Sequence, residues 1–178
     1  MKTVMKFLMI LVLLSGTAVT FCGAADAGET RTFVDDVGRE ITLPVNIDAV
    51  SPSGPLAQIV LYSVDQDLFV SVSSEFTDAQ AKYIDPRLLT LPVTGQFYGS
   101  KAATMNPESI MELNKNLNID VVLDIGEAKE TMKADLDDIQ SKTGVAFVFV
   151  TQNKLEEIPG SYVKLGELLS RPERGQEL

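Results

Sequence analysis

The chain has 178 residues and 45% hydrophobic content, enough for one folded domain with a real core, which argues against a disordered polypeptide. Its net charge of −10 argues against nucleic acid as a partner. Histidine is absent and Cys22 is the sole cysteine, which excludes Ser-His-Asp and Cys-His catalysis and removes the commonest ligand for zinc and other transition metals.

Residues 1–25 carry the three parts of a secretory signal peptide. Lys2 and Lys6 precede the apolar run Phe7–Leu14, and small residues follow at Gly23-Ala-Ala25. The apolar stretch is interrupted by Ser15, Gly16, Thr17 and Thr20, which makes it short for a membrane span. Cys22 is either the acceptor of a lipid anchor or a leader residue discarded on cleavage after Ala25 or Ala27. Val19-Thr20-Phe21 is only a loose lipobox, because Phe21 stands where a small residue is expected. The expected product is secreted across the cytoplasmic membrane, and it meets that membrane by association or through the anchor.

Residues 26–31 form a mature N-terminal tail. Thr32-Phe-Val34 and Arg39–Leu43 predict the arms of a hairpin, with Asp35 and Asp36 in its turn and Pro44 at its end. A short strand is expected over 47–50, a loop over 51–55 and a buried helix over 56–64. Leu68–Val72 reads as a second core strand and Thr77–Ile84 as a short helix. Residues 85–105 are irregular, broken by Pro86, Pro92, Gly95 and Gly99, with Gln96-Phe97-Tyr98 as an exposed aromatic loop.

The segment 106–126 is the most informative. Asn106 suits a helix cap, Pro107 the first helical position, and Glu108 the positive end of the helix dipole. Ile110, Met111 and Leu113 give that helix, 107–113, its apolar stripe. Val121-Val-Leu123 suits a parallel strand over 119–124, covered on both faces. The strand ends in Asp124-Ile-Gly126-Glu127, which puts polar groups where open α/β sheets bind ligands. Met132, Leu136 and Ile139 mark an amphipathic helix over 128–143, stopped at Gly144, with Asp135, Asp137 and Asp138 on a solvated face. A strand follows over 145–150, an exit loop over 151–153, and a helix over 155–170 with a break expected near Pro159-Gly160.

Strands alternating with helices predict an α/β fold, a three-layer parallel-sheet (Rossmann-like) lobe over 32–160 with an N-terminal β-hairpin. The strand-exit loops 51–55, 73–76, 124–127 and 151–153 then converge on one edge, where loop 94–100 can join them. No calcium loop or glycine-rich phosphate loop occurs.

Four segments resemble one family. Thr32–Pro44 looks like the opening hairpin of periplasmic substrate-binding proteins of metal-chelate ABC importers. Ile47–Pro55 resembles their first strand and its Ser-Pro-Ser loop, and Asn106–Leu123 their "Asn-x-Glu … Pro-Asp-Val-Val" segment. Tyr162–Leu169 with Arg171-Pro-Glu-Arg174 resembles the start of the helix that connects their two lobes. The chain departs from the pattern through an insertion between Leu113 and Val121, Ile119 in place of proline, and Gly54-Pro55 where a helix usually begins directly.

The resemblance implies a non-enzymatic binder with no cofactor. Its ligand would be a metal chelate (ferric siderophore, haem or cobalamin), handed on to ABC permease subunits. It implies Ser53 and Gly54, Phe97 and Tyr98, and Gly126 and Glu127 as ligand contacts, and Glu108 as the permease-docking charge. Each has a plainer alternative: Ser53 as a turn or cap, Tyr98 as a plug on the core, Glu108 as dipole compensation. It also implies that 161–178 begin an interlobe helix, leaving Leu165, Leu168 and Leu169 poorly covered, with a second lobe beyond. A secreted α/β interaction or adaptor domain that no longer supports transport is the competing expectation.

Overall fold

The computed structural model describes residues 28–98 and 104–178. The leader, its cleavage sites and Cys22 lie outside these. Thr30–Val34 (β1) and Glu40–Pro44 (β2) pair antiparallel, with Phe33 opposite Ile41. Phe33, Ile41 and Leu43 are buried, so one face of the hairpin is core. Gly38, at φ +73, takes the left-handed turn position that favours glycine.

Val50–Pro52 (β3), Val121–Gly126 (β4) and Phe147–Thr151 (β5) form a parallel sheet in the order β3-β4-β5. Val50 pairs with Val121, and Val122 with Phe147. The side-chain alternation of the central strand divides the core. Val121, Leu123 and Ile125 join a cluster with Val60, Leu61, Leu165 and Leu168, from Pro55–Val64 (α1) and Ile158–Leu168 (α4). Val122, Phe147 and Phe149 join a second cluster with Ile110, Leu136 and Ile139, from Pro107–Leu117 (α2) and Met132–Thr143 (α3). Helices thus cover both faces of the sheet, which is the expected three-layer α/β architecture.

Local signals act as expected at several ends. Asn106 accepts from the Glu108 amide at 2.9 Å, and Pro107 opens α2, which runs on to Leu117. Gly144 closes α3 at φ +69. Elsewhere the structure corrects the expectations. Residues 68–72 are not a strand. The Asp65 carboxylate caps a 3-10 turn over Gln66–Leu68, and local capping of this kind competes with a sheet ladder. Phe69 then touches the sheet through a single bridge to Val50 of β3, while Val72 bridges to Val93 in the irregular segment that follows. The 77–84 helix reduces to a 3-10 turn over Gln80–Lys82 that buries no residue and so lacks the packing a helix needs.

The C-terminal expectation changes most. Pro159 lies in the first turn of α4, where it starts the helix rather than breaking it. The chain instead turns at Ser170, φ +58, and Pro172–Glu177 (α5) folds back onto α4. Gly166 and Gly175 allow the close approach: a Cβ on Gly166 would lie 2.8 Å from the Arg171 carbonyl oxygen. Leu165, Leu168 and Leu169 are therefore fully buried, not poorly covered. The Arg31 guanidinium caps the carbonyls of Glu167 and Leu168 at the end of α4, and Arg171 pairs with Asp65 at 2.8 Å.

The acidic residues of the turn and of α3 are also more than solvated charges. Asp35 is buried and pairs with Arg39 at 3.2 Å. Arg39 reaches Asp137 at 2.7 Å, the Phe147 carbonyl at 2.9 Å and the Gln140 amide oxygen at 2.9 Å. Asp135 accepts from Tyr98 and Thr131, and Asp138 pairs with Lys142.

Candidate functional site

The carboxyl ends of β3 and β4 open onto a cavity of about 310 Å³, bordered by Gly54, Gln96, Tyr98, Asp124, Gly126, Glu127 and Lys129 over an apolar base that includes Met132 and Phe149. A volume of this size is at the lower end for ligand sites. The Ser53 amide donates to the Leu123 carbonyl at 2.8 Å, carrying the ladder one residue past β3. That step sets Ser53 beside Asp124, and the Ser53 hydroxyl donates to Asp124 Oδ1. Both are nearly closed to solvent, at 0% and 5% exposure.

The aromatic loop is tied to the same point. The Phe97 amide donates to the Ser53 carbonyl at 2.8 Å. The Phe97 ring packs on Phe147 (5.7 Å between centroids) and meets Tyr98 edge-on (4.6 Å). The Tyr98 hydroxyl donates to Asp135 Oδ2 at 2.8 Å, and the Thr131 hydroxyl donates to the same oxygen. Lys129 Nζ lies 4.9 Å from the Tyr98 ring centroid, a cation–π contact.

Gly54, Tyr98, Gly126 and Glu127 thus come together around the cavity, while Ser53 and Phe97 stand behind it as supports. Of the loops expected to converge, 51–55, 94–98 and 124–127 do. Residues 73–75 border a separate depression with Gly95, Thr104 and Asn106. Loop 151–153 also lies beside 124–127, the Gln152 amide donating to the Gly126 carbonyl at 3.0 Å, and it is braced by Glu157, whose carboxylate accepts the Asn153 and Lys154 amides at 2.9 and 3.1 Å. Those amides, Asn153 first, hold the Glu157 carboxyl below its usual range. Glu108 is exposed on the first turn of α2, on a surface shared with Met111, Glu112 and Lys115.

Three cavity residues, Asp124, Lys129 and Gln96, were not expected as contacts. Asp124 had a readable signal: a lone carboxylate inside an apolar, doubly covered strand is costly unless it has a purpose. Lys129 carried none, and Gln96 only its place in the aromatic loop that could join the converging ones.

The electrostatics follow from burial. Desolvation raises the Tyr98 phenol far above its ordinary value, and its bond to Asp135 raises it further. The phenol stays protonated and committed to Asp135, so Tyr98 offers the cavity a ring rather than a phenolate ligand. Desolvation also raises the Asp124 carboxyl above its ordinary value, opposed by the Ser53 hydroxyl, the Ile125 amide and Lys129. A raised folded-state value means the folded chain binds the proton more tightly than the unfolded chain. Stability from this group therefore falls as pH rises from the ordinary carboxylate range through the raised value. In unfolding midpoints taken from about pH 4 to about pH 8, Asp124→Asn is expected to gain on the parent as pH rises. A difference that does not change with pH would assign Asp124 an ordinary value.

Among the described residues, no group of three or more acidic or cysteine side chains is placed to hold a metal ion, and no helix is long and apolar enough to cross a membrane. No protein-family model and no curated protein matches the chain. Solved structures do share its fold. An ABC transporter solute binding protein from Sulfurospirillum deleyianum superposes with a TM-score of 0.67 at 23% identity, over 83% of this chain and 44% of its own. The molybdate periplasmic binding protein MolA of Haemophilus influenzae, bound to molybdate, gives 0.60 at 16% identity, over 83% and 48%. The haem binding protein HmuT gives 0.55 at 18% identity, over 86% and 45%. The chain spans less than half the length of these proteins.

Proposed function

We propose that the chain is an N-terminal lobe of an extracytoplasmic solute-binding protein serving an ABC importer, and that the cavity beyond β3 and β4 is its wall of the ligand cleft. The observation that carries this reading is the position of the cavity: it lies at the carboxyl edge of a parallel sheet, on a fold shared with solute-binding proteins. The fold neighbours take different solutes, molybdate in one and haem in another, so the ligand must be argued from this chain's own residues. An aromatic face at Tyr98, glycine backbone at Gly54 and Gly126, and an apolar base suit a bulky iron chelate, siderophore, haem or cobalamin, better than a small bare ion. Capture is non-covalent, and no enzymatic step is assigned. Export before folding fits the leader-like residues 1–25. Exposed Glu108 is the docking charge toward basic permease pockets, where a carboxylate steers encounter.

The test is a titration of the chain, followed by amide NMR shifts, with ferric hydroxamates, haemin and cobalamin. Saturable shifts centred on Gly54, Gly126 and Glu127 are expected. Tyr98→Ala should weaken that binding about tenfold by removing the ring, at the upper end for an aromatic contact. A chain that responds to none of these chelates is instead a secreted interaction domain.

A further inference from the structure

The cavity's one deeply buried ionisable group decides what kind of ligand edge it accepts. Asp124 lines it, 5% exposed. Oδ1 takes the Ser53 hydroxyl, and among the described residues no side-chain donor reaches Oδ2. Because Asp124 lines the cavity, its carboxylate is open to a donor brought by a solute, and a charge so far withdrawn from water gains from such a bond. The surrounding charges have the same sign. Glu127 lies at the rim, and Asp135 stands one hydrogen bond behind Tyr98. Lys129 is the one cation among the described residues of the lining, and it lies over the Tyr98 ring without an ion pair.

Resting on the binding role proposed above, we infer that Asp124 is a specificity-determining residue that selects solutes presenting a cationic, hydrogen-bond-donating edge, an organic ammonium, against carboxylates and oxyanions. An ammonium entering the cavity gains a charge-assisted bond at Asp124 and the aromatic face of Tyr98. A carboxylate or an oxyanion meets Asp124 and Glu127 with like charge and finds only Lys129 to receive it. The chelate class favoured is therefore one with a free amine, not one with an anionic periphery.

The experiment uses a matched pair of ferric trihydroxamates, ferrioxamine B with its free ammonium and the same chelate N-acetylated. Haemin and molybdate serve as anionic probes, and spermidine as a cation that is not a chelate. All are titrated into the full chain and followed by amide NMR. The ammonium chelate is expected to bind at least about tenfold tighter than its acetylated form, the scale of one charge-assisted hydrogen bond. Asp124→Asn, nearly isosteric and still able to accept from Ser53, should abolish that preference, read as the ratio of the two affinities within the variant. Equal binding of the pair, or tighter binding of haemin, overturns the inference and leaves the chelate reading standing; tighter binding of molybdate overturns both. Binding of spermidine alone, lost in Asp124→Asn, keeps the cation selection and overturns the chelate reading. Silence toward every probe overturns both.

Discussion

Arg39→Met is expected to destabilise the fold by about 3–5 kcal/mol, the range for breaking a buried ion pair from one side. Arg39 is 4% exposed and Asp35 is 3% exposed. The guanidinium serves four acceptors: Asp35, Asp137, Gln140 and the Phe147 carbonyl. Methionine fills much of the volume but leaves Asp35 Oδ2 buried without its cation. Oδ1 stays bonded to the Val37 and Arg39 amides, so the turn itself survives. The loss therefore appears as weakened docking of the hairpin onto α3 and β5. Urea unfolding measures it, and a double variant with Asp35→Asn should recover part of the loss, because the orphaned charge is gone. A midpoint unchanged in Arg39→Met would show that the clamp contributes nothing.

Gly95→Ala ranks second, with an expected cost of about 3 kcal/mol. Gly95 has φ +85, a conformation strained for any L side chain. A Cβ there would also lie 2.5 Å from the Thr104 carbonyl oxygen and 2.8 Å from the Met105 nitrogen. Both obstacles are backbone and cannot rotate away. They belong to a brace in which the Gln96 amide donates to the Thr104 hydroxyl and the Met105 amide to the Gln96 carbonyl. Because Phe97 and Tyr98 follow directly, the variant should lose ligand-induced shifts as well as stability. A variant that kept both would mean that the brace yields easily.

The parts of the fold legible in the sequence were those whose causes are local. The Asn106-Pro107 opening, the Gly144 stop and the apolar strand at Val121–Leu123 each carry their own explanation within a few residues. The same holds for Gly54, Gly126 and Glu127, which follow from where strands end. What escaped depends on partners far along the chain. Ser53 reads as a cap or a contact until Asp124 is set beside it by the β3–β4 register. Asp137 reads as solvated until Arg39 arrives from the hairpin. The break after α4 was misplaced because Pro159 is locally a breaker, while the true turn rests on Ser170 and on close packing of Gly166 against Gly175.

The hairpin's moorings also set an order of assembly. Arg31 caps α4, Asp36 pairs with Lys164 of α4, and Arg39 meets α3 and β5, all contacts between the start of the fold and its last elements. Contacts of such sequence separation form late, because the intervening loop must close first. While the chain is still emerging, the hairpin has nothing to hold it. The hairpin docks onto the body only after α4 has appeared, so a chain cut short before α4 is expected to leave it undocked.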